Sequence, residues 1–297
     1  MNILITGANG LIGRHLVALL SKKNKIYAIV REKTGIQFET NNNVFIKEMD
    51  LTKFDTQELP TKIDAIYYLA QSRRFREFPE GSEDTLLVNV VAPIKLANWA
   101  IKNNVKFFLY ASSGGVYTNP NQPVKEFLEI NANEKLGFYL NSKLSAEMLL
   151  RNYARMFKTF VILRLFFVYG PGQNKSMLIP RLINNVKNKI EILLNGEEGI
   201  SINPIYVYDA VEAIEKTLYL NGEYIFNIAG DEIVTIKGIC TKIQEITGIE
   251  PIYKRVEEIQ NDLIADITLM KTLLHVPKIS IKEGLQRLIK EDFNDEY

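Results

Sequence analysis

The stretch that most constrains the fold is Met1-Asn-Ile-Leu-Ile-Thr-Gly-Ala-Asn-Gly-Leu-Ile-Gly13. An apolar run, Ile3 to Ile5, stops at Thr6-Gly7, and glycines follow at 7, 10 and 13. Leu16, Leu19 and Leu20 then set a helical period. A buried strand, a tight turn and a helix N-terminus therefore succeed one another with no spare residue. A dinucleotide pyrophosphate needs this arrangement. Gly7 permits the turn, Gly10 lets backbone approach phosphate, and Gly13 lets helix and strand pack closely. Asn9, Leu11 and Ile12 lie in the same turn and are read with it as cofactor-binding.

Repeated strand and helix signals continue the pattern. Ile26–Val30, Val44–Ile46, Ile63–Leu69, Val105–Ala111 and Thr159–Leu165 read as strands, and helices are expected over about 84–102 and 134–157. Near-continuous apolar strands separated by helices predict an α/β fold, a Rossmann-type doubly wound parallel sheet covered on both faces. After Gly170-Pro171-Gly172 the rhythm changes to shorter mixed segments, including helices near 177–186 and 209–219 and a strand near 224–228. Residues 1–166 plus 202–228 are assigned to the dinucleotide domain. Residues 167–201 plus 229–297 are assigned to a small mixed α/β substrate domain. The acidic tail 291–297 is expected to fray.

A chain of 297 residues, 46% hydrophobic, can bury a full core. Thirty-six basic against 35 acidic residues leave a formal net charge of +1, which gives no general attraction to nucleic acid. The single Cys240 excludes an intrachain disulfide and suits a reducing cytosol. No signal peptide pattern and no membrane-length apolar run are found, so a cytoplasmic protein is expected. No metal site is expected.

Strand ends carry the next candidates, because ligands of parallel sheets sit at carboxyl ends. Strand two ends at Arg31, where an acidic residue would accept the ribose hydroxyls of NAD. Arg31 either pairs with a 2′-phosphate, which tilts the expectation slightly to NADP, or is an ordinary solvated arginine. Asp50 either reaches the adenine edge, with Leu51 beside it, or is a surface-turn aspartate. Val105–Ala111 runs into Ser112-Ser113-Gly114-Gly115, whose small residues leave room for a substrate. On the following helix stands Tyr139-Leu-Asn-Ser-Lys143. An i, i+4 pair shares a helix face, and a nearby cation favours a phenolate. Of the 14 tyrosines only Tyr139 has a lysine four residues on.

Taken together, the glycine turn, Ser113, Tyr139-x-x-x-Lys143, Arg164-Leu-Phe-Phe-Val-Tyr-Gly-Pro171, Ile205-Tyr-Val-Tyr-Asp209 and Phe226-Asn-Ile-Ala-Gly230 resemble the extended short-chain dehydrogenase/reductase family. The resemblance covers nearly the whole chain and is weakly specific for substrate. It implies an NAD(P)-dependent enzyme acting on a nucleotide sugar, and a homodimer is expected. Tyr139 would be the acid/base. Lys143 would hold the nicotinamide ribose and lower the phenol pKa, and Ser113 would hydrogen-bond the reacting oxygen. Asn89 would lie near the site, with Leu69, Ala70 and Gln71 against the cofactor. Ser113, Gly114, Phe167 and Arg74, in the basic loop Arg73-Arg74-Phe75-Arg76, would meet the substrate.

Five positions depart from the pattern. Gln71 replaces a commonly small residue, Phe167 a frequent asparagine, and Thr118 a frequent glycine. Gly114 and Gly115 stand where the family's dehydratases carry an Asp-Glu pair. The reading therefore favours C4 epimerisation through a keto intermediate over dehydration. NADPH-dependent 4-keto reduction is the alternative. A non-catalytic dinucleotide sensor or scaffold is the other, although a sensor would have no need of Ser113, Tyr139 and Lys143.

Overall fold

The computed structural model describes residues 1–38, 41–117, 123–131, 136–257 and 261–293. Thr118, the expected helix start at 134 and most of the acidic tail, 294–297, lie outside these. Two compact units result. The first comprises residues 1–118, 129–165 and 211–226; the second comprises 119–128, 166–210 and 227–297.

The first unit is built on β1 (Asn2–Thr6), β2 (Lys25–Val30), β3 (Val44–Glu48), β4 (Ala65–Tyr68), β5 (Phe107–Ser113) and β6 (Thr159–Leu165). The strand order is β3-β2-β1-β4-β5-β6, followed by Gly222–Ile228. From β1 to β6 every pairing is parallel. The winding reverses between β1 and β4, so their carboxyl ends flank the crevice where doubly wound sheets bind ligands. Ile3, Leu4, Ile5 and all four residues of β4 are fully buried, as strands covered on both faces must be. Alternate residues Ile66 and Tyr68, Phe108 and Tyr110, and Phe160 and Ile162 share one face, packed with Leu96, Ala97, Ala100, Ala146 and Leu150.

Those last residues come from α3 (Ala92–Lys102) and α4 (Gly137–Leu150), which follow α1 (Leu11–Leu20) and α2 (Ser82–Leu86). The expected helix over 84–102 is not uniform. A π-helical turn, Leu87–Val91, separates α2 from α3. Such a turn widens the helix and leaves carbonyls looking for donors. Buried phenols supply them here: Tyr68 donates to the Val88 carbonyl (2.5 Å) and Tyr110 to the Asn89 carbonyl (2.9 Å). The expected helix over 134–157 is α4, followed by a 3-10 stretch, Arg151–Met156.

The second unit is mixed α/β. Ser201–Ile202 pairs antiparallel with Val234–Thr235, and Ile192–Asn195 pairs parallel with Tyr253–Val256. Helices Leu178–Lys187, Ile236–Thr247 and Ile281–Asp292 bury Ile183, Ile239, Ile243, Leu285 and Leu288. Thr235 and Ser280 cap two of these helices by accepting from Gly238 and Glu283 amides. No helix among the described residues is long and apolar enough to cross a membrane.

Candidate active site

The site begins at the turn after β1. Gly7 has φ +66°, and a Cβ there would stand 2.8 Å from the Ala70 nitrogen. A Cβ at Gly13 would collide with the Gly7 carbonyl oxygen and Ala8. Glycine is therefore required at both places by a left-handed backbone and by close packing. Exposed Gly10 is the N-cap of α1; no side chain caps it and no acidic residue occupies the first turn. The orphan N–H groups and positive end of the helix dipole thus meet no acid of the helix's own first turn, and the turn fits a dinucleotide pyrophosphate. Asn9 fastens the neighbouring loop, donating to the Gly35 carbonyl (2.9 Å) and accepting from the Gln37 amide (2.8 Å). Leu11 and Ile12, half-buried, form the first turn of α1.

Arg31 lies exposed just beyond β2, and its charge acts on Asp50. Burial pushes the Asp50 carboxyl up, but hydrogen bonds from Thr52 and the charges of Arg31 and Lys53 outweigh it and hold the pKa below the usual value. Leu51 packs partly against the core. Beyond β4, Leu69 is half-buried, Ala70 is buried, and Gln71 is exposed. The Ala70 amide donates to Thr6 Oγ1 (3.2 Å).

Fully buried Asn89 sits in the π turn and uses both ends of its amide internally. Its Oδ1 accepts from the Ser72 amide (3.1 Å), and its Nδ2 donates to Ser142 Oγ (3.0 Å). Ser142 in turn donates to the Tyr139 carbonyl (2.6 Å). Asn89 therefore braces the loop after β4 against the helix turn that carries Tyr139.

Ser113 closes β5, half-buried, and its Oγ accepts from the Gly115 amide (3.2 Å). Tyr139 donates to Gln71 Oε1 (3.0 Å), and its ring lies 4.8 Å from that of Phe75. Burial pushes the Tyr139 phenol up to about 12, against a hydrogen bond with Ser113 and the charge of Arg76. The structure thus brings Ser113, Gln71 and Tyr139 together. Lys143 is fully buried and donates to the Ala111 carbonyl (2.9 Å), its ammonium 5.1 Å from the Tyr110 ring centre. Burial pushes it down to about 7, while Glu147 pulls it up. The phenol-lowering role expected of Lys143 is not seen in this geometry; Arg76 is the cation whose charge lowers Tyr139.

The substrate-side candidates lie as follows. Arg74, expected to meet the substrate, is exposed and pairs with Glu77 (2.7 Å). The space beside Gly115 is not open, because a Cβ there would meet Leu140 Cδ2 at 2.9 Å, whereas Gly114 is buried. Phe167 belongs to the second unit, where its backbone takes φ +44°. Among the described residues no cluster suited to a metal ion occurs.

Sequence reasoning missed the support beneath the site. Glu147 and Arg164 form a buried ion pair (2.7 Å), and Arg164 also donates to the Tyr117 hydroxyl (2.9 Å). The signal was present: Arg164 is a charge inside an apolar strand, and Glu147 repeats the Tyr139–Lys143 spacing one step further along α4.

The family model for the NAD dependent epimerase/dehydratase family matches residues 3–229. A Bacillus subtilis protein described as an uncharacterized UDP-glucose epimerase, YtcB, is 30% identical over 307 residues, covering 96% of each chain. A UDP-N-acetyl-alpha-D-glucosaminuronate decarboxylase of Bacillus cytotoxicus is 28% identical, covering 97% of this chain and 96% of its own. Among solved structures, UDP-glucuronic acid 4-epimerase from Bacillus cereus, in complex with UDP-glucuronic acid and NAD, superposes with a TM-score of 0.87 at 27% identity, covering 98% of each chain. The chain belongs to the NAD-dependent epimerase/dehydratase family, enzymes of the extended short-chain dehydrogenase/reductase type.

Proposed function

We propose that the protein inverts C4 of a UDP-linked sugar through a 4-keto intermediate. The observation that carries this reading is the meeting of Ser113 and Tyr139 at the carboxyl end of β5, with glycines at the next two positions. Gly7, Gly10, Gly13 and the uncapped start of α1 would hold the pyrophosphate. Asp50, Leu51, Ala70 and Lys143 would hold the remainder of the dinucleotide. The nicotinamide, when bound, supplies reversible hydride exchange with C4.

The rest of the chemistry falls to side chains of this chain. Tyr139 takes the proton of the C4 hydroxyl, and Ser113 hydrogen-bonds the C4 oxygen as it becomes a carbonyl. After the sugar has turned its other face, Tyr139 returns a proton to that oxygen. A phenol near 12 is a weak base at neutral pH. Arg76, the cation whose charge acts on the phenol, and the hydrogen bond with Ser113 would bring the phenolate into range. Residues 167–201 and 229–297, Phe167 among them, would supply the sugar-binding residues.

Dehydration has no acid or base at positions 114 and 115, and Leu140 already fills the side-chain space at Gly115. Incubation with NAD and a panel of UDP-sugars, followed by NMR, tests the reading.

Cofactor choice separates the epimerase from its runner-up, a 4-keto reductase using NADPH. Exposed Arg31 favours the runner-up. Two observations weigh the other way: Arg31 acts on Asp50, and the Bacillus cereus epimerase is in complex with NAD. The proposal takes NAD. In titrations of both cofactors, wild type should bind NAD at least as tightly as NADP, and Arg31→Asp should mainly weaken NADP. A clear wild-type preference for NADP would favour the reductase.

A further inference from the structure

The hydrogen that Tyr139 must give or take is held by a residue to which the chemistry above assigns no proton. Gln71 follows Ala70, whose amide is fixed on Thr6 Oγ1 and whose backbone abuts Gly7. It precedes Ser72, whose amide is fixed on Asn89 Oδ1. Backbone anchored on both sides presents the Gln71 side chain from a set position, and its Oε1 accepts the Tyr139 hydroxyl at 3.0 Å.

We propose that Gln71 is a positioning residue for Tyr139: it holds the phenol in its protonated form, and that hydrogen bond must break, with the phenol proton lost to solvent, before Tyr139 can take the proton of the C4 hydroxyl. The inference rests on the C4 reading above. An acceptor on a neutral O–H stabilises the protonated form and opposes ionisation. Gln71 therefore works against the other groups around the phenol. Arg76 lies on the loop after β4 and Ser113 at the end of β5, and both favour the phenolate. Tyr110 faces the phenol from β5, and Lys143 follows one turn on in α4, its ammonium engaged by the Ala111 carbonyl. Phe75 covers the ring. This balance keeps the resting phenol protonated and aimed, and it leaves a neutral amide, not a charged competitor, to be given up as the sugar hydroxyl arrives.

The test follows the ionisation of Tyr139 in the full chain by NMR of tyrosine labelled at Cζ. Its signal is assigned by its loss in Tyr139→Phe. Gln71→Met keeps the length of the side chain and removes the acceptor; the midpoint should fall by roughly 0.5–1 pH unit, the equivalent of one hydrogen bond. Gln71→Glu retains an acceptor and adds like charge, and the midpoint should rise by about one unit or more. A midpoint unmoved by Gln71→Met, or lowered by Gln71→Glu, would overturn the proposal. The readout needs no turnover. If the midpoints move as expected but no sugar is converted, the C4 reading fails and Gln71 still holds the phenol proton.

Discussion

Tyr139 and Lys143 share a helix face yet stand in opposite conditions. Tyr139 keeps its proton because burial penalises the phenolate, and Lys143 gives its proton up readily because burial penalises the ammonium. Tyr139→Phe keeps the ring on Phe75 and removes only the hydroxyl. Turnover should fall by about 10²–10⁴-fold or more, with cofactor affinity nearly unchanged in a direct titration. A mutant keeping a tenth of the rate would take Tyr139 out of the mechanism. Lys143 makes a separate prediction about stability. Its pKa is 10.5 when exposed and about 7 when folded, so between these values the unfolded chain binds the extra proton. Stability should therefore rise with pH across that window, and below about 7 the full penalty of charging the buried amine is present. Lys143→Met removes this linkage. Its melting temperature should exceed that of wild type at pH 7, and the difference should shrink toward pH 10.5. A difference that stays constant across the window would show that the amine is not buried as described.

At the scale of elements, α4 is the strut of the site, and Glu147 ties it to β6 through Arg164, with Tyr117 on the same guanidinium. Removing one partner of a buried pair strands the other charge. Glu147→Ala should cost about 3–5 kcal/mol in denaturant unfolding, and a loss below about 1 kcal/mol would mean the pair is solvated. The same elements show what a sequence discloses. The turn of Gly7, Gly10 and Gly13 was legible because its cause is local: backbone sterics and one short path from strand to helix. Ser113 was legible as a candidate because it stands at the carboxyl end of a strand, and Tyr139 because a lysine follows it four residues on. The π turn at Leu87–Val91 was not, since its carbonyls depend on phenols from β4 and β5 that are distant in sequence. Nor was the partner of Lys143, the Ala111 carbonyl 32 residues away. Leu140 beside Gly115 was hidden for the same reason: a glycine pair shows missing side chains but not what fills the space.

At the scale of the whole molecule, the first unit supplies a parallel-sheet frame for the proposed chemistry. Six parallel strands fix the carboxyl ends of β1, β4 and β5: the glycine turn proposed for phosphate follows β1, Ser113 ends β5, and Tyr139 stands on α4. That frame is shared with a relative named a decarboxylase and a solved structure named a 4-epimerase, so the fold alone does not decide the reaction. The most direct measurement is NMR of the products formed when wild type and Tyr139→Phe are incubated with NAD and UDP-glucose, UDP-glucuronic acid or UDP-N-acetylglucosamine. Wild type should convert at least one of them to its C4 epimer and Tyr139→Phe should not; a 4-keto-6-deoxy product, a decarboxylated sugar, or no product from any of the three would contradict the account.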